Sequence, residues 1–272
     1  MLMTRLKFAA VGDNCIDRFG PPLSQSLVGG NAVNVAVQLA RLGHTALYFG
    51  AVGDDKGGRR TSAALAANGV DVTYLCKRPG ITAYTDIEIT PSGERIFVHE
   101  DFGACAGYRP DDAETAVLKT MDHVHIGWLD DGGALRRTLA AAGVSISQDI
   151  SVNANPADLG IAGLSVVFAS AGDDHGKADV ILRKLLEDGA LLAVVTRGSD
   201  GSIAGDGHER VEIGSLTVPV VDTTGAGDSF IAGFLAARIG KRPLSDCLTA
   251  GRDHAALTCT HVGGFPQEPQ PL

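Results

Sequence analysis

Asp222-Thr-Thr-Gly-Ala-Gly-Asp228-Ser-Phe-Ile-Ala-Gly-Phe234 decides how this chain is read. Three small residues, Gly225, Ala226 and Gly227, stand directly before an acid and an apolar run of helical character. The preceding Ser215-Leu-Thr-Val-Pro-Val-Val221 alternates and is rich in valine, which predicts a strand. A strand, a small-residue turn and a helix start would aim exposed backbone N–H groups at one point, favourable to an anion. Asp228 would put a carboxylate beside that point. A phosphate-like charge next to a proton acceptor is what transfer of a phosphoryl group to a hydroxyl requires. Taken alone, Asp228 reads equally well as a helix cap, and the glycines as ordinary turn residues. The run of three small residues is more than a cap needs. A dinucleotide fingerprint fits poorly, since its third glycine would fall at Phe230, and no G-x-x-x-x-G-K-[ST] loop occurs.

The 272 residues are 44% hydrophobic and 20% charged, a globular balance that can bury a full core. A net charge of −9 without a basic run argues against nucleic acid or an anionic membrane surface as partner. No stretch reaches about 18 apolar residues, so nothing would span a bilayer. The apolar N-terminal run is cut short at Asp13 and reads as a first strand, not as a signal peptide. Cys15, Cys76, Cys105, Cys247 and Cys259 are scattered without CxxC spacing. That pattern predicts reduced thiols in a cytoplasmic protein and no zinc site.

Apolar periodicity predicts strands over 7–12, 45–52, 70–75, 122–126, 144–150, 164–169 and 191–196, and helices over 29–43, 59–68, 132–142 and 176–187. Such alternation predicts an α/β fold with a mainly parallel sheet flanked by helices. Two segments break the pattern. Residues 82–99 read as a hairpin turning at Pro91-Ser-Gly-Glu94, and 13–28 show no helical period. The expected division is a core of 1–12, 29–80 and 107–272, with a small β-sheet from 13–28 and 81–106 projecting from it.

The stretch around Asp228 resembles the C-terminal signature of the ribokinase-like (PfkB) carbohydrate kinases. Gly29-Gly-Asn-Ala-Val-Asn-Val-Ala36 resembles the family's other signature, and the likeness runs over nearly the whole chain. The resemblance implies a ribokinase-like fold, an ATP- and Mg²⁺-dependent sugar kinase, a β lid that closes over the sugar, and a homodimer formed through that lid. It implies Asp228 as the base, with the amides of Gly225, Ala226 and Gly227 stabilising the phosphoryl group. Asp17 matches the family's sugar-binding acid, and Asp13 lies close enough to share the work. A carboxylate can accept from two neighbouring hydroxyls at once, which suits a sugar diol; in isolation either residue also reads as a solvated turn acid. Gly29, Gly30 and Asn34 match positions lining the sugar site. Thr196-Arg-Gly-Ser-Asp-Gly201 resembles the nucleotide-side turn, which brings Thr196, Gly198 and Gly201, with Thr224, to the nucleotide. Residues 250–257 resemble the wall of the purine pocket, where His254 is given no chemical role.

Departures narrow the reading. Where the family often carries Asn-x-x-Glu for Mg²⁺, this chain has Ser170-Ala-Gly-Asp173, and Asp173 would reach the metal through water. Asp149-Ile-Ser-Val-Asn153 lacks a following arginine, which counts against a keto-deoxy-gluconate-type substrate. Gly12-Asp-Asn-Cys-Ile-Asp17 and Phe168-Ala-Ser-Ala171 look most like the fructoselysine 6-kinases. That likeness implies phosphorylation of the 6-hydroxyl of a sugar bearing an amino acid at C1. Arg95 or Glu100 of the hairpin would meet the amino acid, or else stand as solvated charges. Two other classes are open on the residues alone: a nicotinamide-dependent oxidoreductase, which would need G-x-G-x-x-G after the first strand, and a non-catalytic sugar or nucleotide sensor, which would not need Asp228.

Overall fold

The computed structural model describes residues 5–89, 95–153, 155–172 and 174–272. Among these, the first half runs β1 (Lys7–Val11), β2 (Cys15–Phe19), β3 (Gln25–Gly29), α1 (Asn31–Arg41), β4 (Thr45–Gly53), α2 (Lys56–Ala67), β5 (Leu75–Arg78), β6 (Tyr84–Ile89), β7 (Arg95–Asp101), α3 (Asp112–Leu118) and β8 (His123–Ile126). The second half runs α4 (Ala134–Ala141), β9 (Ile146–Asp149), β10 (Val166–Ser170), α5 (His175–Glu187), β11 (Ala193–Thr196), β12 (Ser202–Gly205), β13 (Arg210–Ile213), α6 (Ala226–Ile239), α7 (Leu244–Thr258) and β14 (Gln270–Pro271).

Nine strands among the described residues form one sheet in the order β13-β12-β11-β10-β9-β8-β1-β4-β5. Every pair from β5 across to β11 is parallel, and β12 and β13 add an antiparallel edge. This is the α/β architecture, with a mainly parallel sheet, expected from the alternation. The central strands read as continuous apolar runs because both of their faces are covered. Phe8, Ala9, Ala10 and Val11 are all buried. Alternate residues feed two different cores: Val11, Val124, Ile126 and Val167 on one face, Phe8, Phe168, Val194, Phe234 and Leu248 on the other. Full burial of a side chain such as Phe234 contributes about 1.5–3 kcal/mol. α6 is apolar nearly all round, and it is accordingly packed between the sheet, α1 and α7. Gly233 permits that close packing, since a Cβ there would sit 2.6 Å from the Ala250 carbonyl oxygen.

Strand order reverses between β1 and β8, because the chain first builds outward to β4 and β5 and later starts again on β1's other side. Open α/β sheets take ligands in the crevice beyond the carboxyl ends of their strands at such a point.

A second sheet, ordered β14-β3-β2-β6-β7, draws on both segments that broke the pattern and adds β14 from near the C-terminus. β14 had no signal in the sequence. Phe19, Leu27 and Ile87 are buried on one face of this sheet, with Val262 packed against them. The expected turn at Pro91-Ser-Gly-Glu94 lies outside the described residues.

Two expected strands are corrected. Residues 70–75 give only an isolated bridge from Asp71 to Leu47, and the strand proper is Leu75–Arg78. Asp71 Oδ1 accepts the Thr73 N–H at 2.9 Å, and that side-chain turn interrupts extension. Residues 215–221 form no strand either. Pro219 lacks a donor for a ladder, and alternation here serves a different purpose, described below.

Candidate active site

Asp13, just past β1, is oriented by the backbone. Its Oδ2 accepts the Asn31 N–H at 2.6 Å, while Oδ1 accepts those of Trp128 at 3.0 Å and Ala32 at 3.3 Å. It therefore caps the N-terminus of α1 and clamps the turn after β8 across the switch point. Asp17 is buried on β2, where the Cys15 thiol donates to its Oδ1 at 3.0 Å. Gly29 makes room for that carboxylate, because a Cβ at 29 would lie 2.4 Å from Asp17 Oδ2. Gly30 adopts φ +108°, and a Cβ there would come within 2.7 Å of Asn14 Cα. The two glycines thus let β3 turn into α1 directly against the carboxyl ends of β1 and β2.

That turn delivers two amides to Asp228. The Asn31 side chain donates to Asp228 Oδ1 and the Asn34 side chain to Oδ2, each at 2.7 Å. Asn34 is itself buried, so its amide is held firmly against the acid. Asn31 also donates to Asp149 Oδ2 at 3.2 Å. Burial pushes the Asp228 carboxyl up to about 7; the Asn34 bond opposes this, the nearby Asp149 and Asp13 charges add to it, and the Asn31 bond opposes it again. Burial raises Asp13 and Asp149 as well. A carboxyl poised near neutrality, with both oxygens oriented, can accept a proton at ordinary pH.

Asp228 sits at the third position of α6, whose cap is Gly225 at φ +73°. The Ala226 N–H donates to the Thr223 carbonyl at 3.1 Å and the Ser229 N–H to that of Gly225 at 2.9 Å. Ala226 was expected to offer its amide to an anion, and here that amide closes the turn. The N–H groups of Gly227 and Asp228 are the first-turn donors with no acceptor inside the helix. An added Cβ at Gly227 would meet nothing within 4 Å, so the backbone there is open to close approach.

Beyond Gly227 opens a cleft of about 770 Å³. Thr196, Gly198 and Gly201 line it from the β11–β12 turn, and Val218, Val220 and Phe230 give it apolar surface. This explains the alternation at 215–221, whose Leu216 and Val220 are exposed at 48% and 64% because they face an open cleft and not a core. Thr223 lines the cleft, whereas the Thr224 N–H donates to Asp222 Oδ1 at 2.7 Å. Asp222 Oδ2 accepts the Gly263 N–H at 2.9 Å, which ties the loop before α6 to the loop after α7. Asp173 lies outside the described residues, as does the Arg95 side chain. Glu100 is exposed. Among the described residues, no group of three or more His, Cys, Asp or Glu is placed to hold a metal ion.

Asn31, Asp149 and Asp222 were given no role at the site by the sequence reading. Asn31 stands three residues before Asn34, which places both on one helix face and was the available signal.

The pfkB family carbohydrate kinase model matches residues 24–149 and 160–271. The chain is 33% identical over 259 residues to the fructoselysine 6-kinase of Escherichia coli, covering 94% of this chain and 98% of that one. It is 29% identical to the fructosamine kinase FrlD of Bacillus subtilis, covering 96% and 93%. Its fold is similar to that of an Arabidopsis thaliana ribokinase complexed with ribose and ATP, with a TM-score of 0.86 at 19% identity and coverage of 97% and 96%. On the family match and the full-length relatives, this chain belongs to the pfkB family of carbohydrate kinases and is a sugar kinase.

Proposed function

We propose that this protein transfers the γ-phosphoryl group of ATP to the 6-hydroxyl of a fructosamine, a sugar carrying an amino acid at C1, with Asp228 as general base. One observation carries the chemistry: a carboxyl with a pKa near 7, held by two amides, stands at the helix start that opens into the cleft. The Asp228 carboxylate takes the proton of the sugar hydroxyl. The hydroxyl oxygen bonds to the γ-phosphorus, the bond to the β,γ-bridging oxygen breaks, and ADP leaves. The N–H groups of Gly227 and Asp228 stabilise the equatorial oxygens during transfer. The apolar cleft around Val218, Val220 and Phe230 suits a purine, and Asp17, with Asp13 beside it, would accept from sugar hydroxyls. Mg²⁺, held mainly by phosphates and water, would neutralise charge on the transferring group, with Asp173 as this chain's candidate contact. The second sheet, resting on Phe19, Leu27 and Ile87, would act as a lid that excludes water during transfer.

The fructosamine assignment is supported by the two relatives that share nearly the full chain. ADP release measured with fructose, ribose, adenosine and several fructose–amino-acid adducts tests it. Adducts should give the highest kcat/KM, and ribose or adenosine exceeding all of them tenfold would reject the substrate class while leaving the kinase. A homodimer through the lid is also proposed. Edge strand β7 exposes Ile96, Phe97 and Val98, and an exposed apolar edge is a natural pairing surface. Light scattering should show a dimer that Phe97→Lys converts to monomer; a wild-type monomer at all concentrations would reject it.

A further inference from the structure

Behind the base, four buried or half-buried polar side chains on β8 and its neighbour form a line that phosphoryl transfer does not itself use. Ser145 Oγ lies 2.9 Å from His123 Nδ1, and His123 Nε2 lies 2.8 Å from Ser147 Oγ. Ser147 Oγ lies 2.9 Å from His125 Nδ1, and His125 Nε2 lies 3.0 Å from Asn31 Oδ1. Both histidines and Ser147 are fully buried.

Hydrogen positions in this line follow from its end. Asp228 and Asp149 only accept when ionised, so the Asn31 group facing both is its NH₂. Its Oδ1 must then accept from His125, which puts the His125 proton on Nε2 and makes Nδ1 an acceptor for the Ser147 hydroxyl. Ser147 has a single hydrogen, so it accepts from His123 Nε2–H, and His123 Nδ1 accepts from Ser145. Neutral imidazoles fit this arrangement, and burial does draw both histidines down to about 3. Every bond points the same way, toward the two carboxylates.

We propose that His125 is a positioning residue that locks the Asn31 amide with its NH₂ toward Asp228 and Asp149. The inference rests on the reading of Asp228 as base. A flipped amide would set Oδ1 against two carboxylates, and His125 could meet its NH₂ only if both imidazole tautomers and the Ser147 hydroxyl reversed together along the buried line. From the elements packed around it, Asp228 meets Asn31 and Asn34 of α1, Asp149 of β9 and Asp13 behind β1. Both charges in that set are negative, so the amides keep the base ionised, and one of them depends on His125.

The test is a carboxyl-carbon NMR titration of Asp228 in the full-length protein, assigned with Asp228→Asn, beside the pH profile of kcat/KM. In His125→Phe the Asp228 midpoint should rise by about one unit, a tenfold change in proton affinity. The acid limb of kcat/KM should move up by the same amount, while KM for ATP stays unchanged. His125→Gln, whose terminal N–H can still reach Asn31, should titrate like wild type. A folded His125→Phe with an unmoved midpoint overturns the proposal, and so does a Gln variant that shifts as far as Phe. Should the Phe variant not fold, Ser147→Ala decides: a smaller rise supports the proposal, and no rise overturns it. Undiminished turnover in Asp228→Asn would reject the base itself, whereas the titration judges the positioning separately.

Discussion

Replacing Gly227 by alanine should make the protein more stable and a worse kinase. Gly227 is helical and exposed, and a Cβ there meets no atom within 4 Å. Alanine in such a position stabilises by about 0.4–1 kcal/mol, chiefly by restricting the unfolded chain. In a chain of this size that corresponds to a rise in Tm of about 1–3 °C. The same methyl group would project into the cleft where the phosphates should lie beside the helix start. Forcing one extra carbon into a close contact costs roughly 1–3 kcal/mol, so kcat/KM for ATP should fall by about 5- to 150-fold. Thermal melting without nucleotide and initial-rate kinetics with varied ATP read the two effects separately. Gly225→Ala is the control with the opposite stability sign, since φ is +73° and its Cβ would lie 2.3 Å from Gly264 Cα. If Gly227→Ala melted higher yet kept wild-type kcat/KM for ATP, the placement of phosphate at the start of α6 would be refuted.

Asp228→Asn should lower kcat by roughly 10²–10⁴ while the circular dichroism spectrum is unchanged; near-normal turnover would sink the base assignment. Because the folded Asp228 pKa, about 7, lies above the ordinary carboxyl value of 3.8, its contribution to stability is complete below about pH 4 and is lost as pH rises through 7. Denaturant titrations should therefore show the Asn variant gaining relative to wild type between about pH 4 and 7, and a constant difference across that range would contradict the shift. Asp17→Ala should weaken sugar binding by about 1.5–3 kcal/mol with ATP binding little changed; calorimetry finding the reverse would exchange the two sites.

Much of this arrangement was legible because its signals are local. Alternating apolar runs announced the parallel strands, and three small residues before an acid announced the start of α6. Where the sequence misled, one pattern had two physical causes. Leu216, Val218 and Val220 alternate as in a strand, yet they face a cleft. The bond from the Trp128 N–H to Asp13 was not legible either, because only the fold brings residues 115 positions apart together. His123 and His125 alternate with Val124 as ordinary strand residues do. Their matching serines lie on the neighbouring strand, where Ser147 sits in register with His125, and sequence alone does not supply that register. β14 is two residues long, too short for any periodicity.

The Asn34 amide bonds Asp228, a residue 194 positions later, and Gln267 bonds both backbone groups of Val28 across 239 positions. A chain emerging from the ribosome would expose β3 and the start of α1 long before α6 and residue 267 exist to cover them. Loop-closure entropy makes such distant pairings late events. The surroundings of Asp228 would thus be among the last parts to form, and a chain not yet grown to residue 267 would carry an exposed apolar crevice that invites chaperone capture.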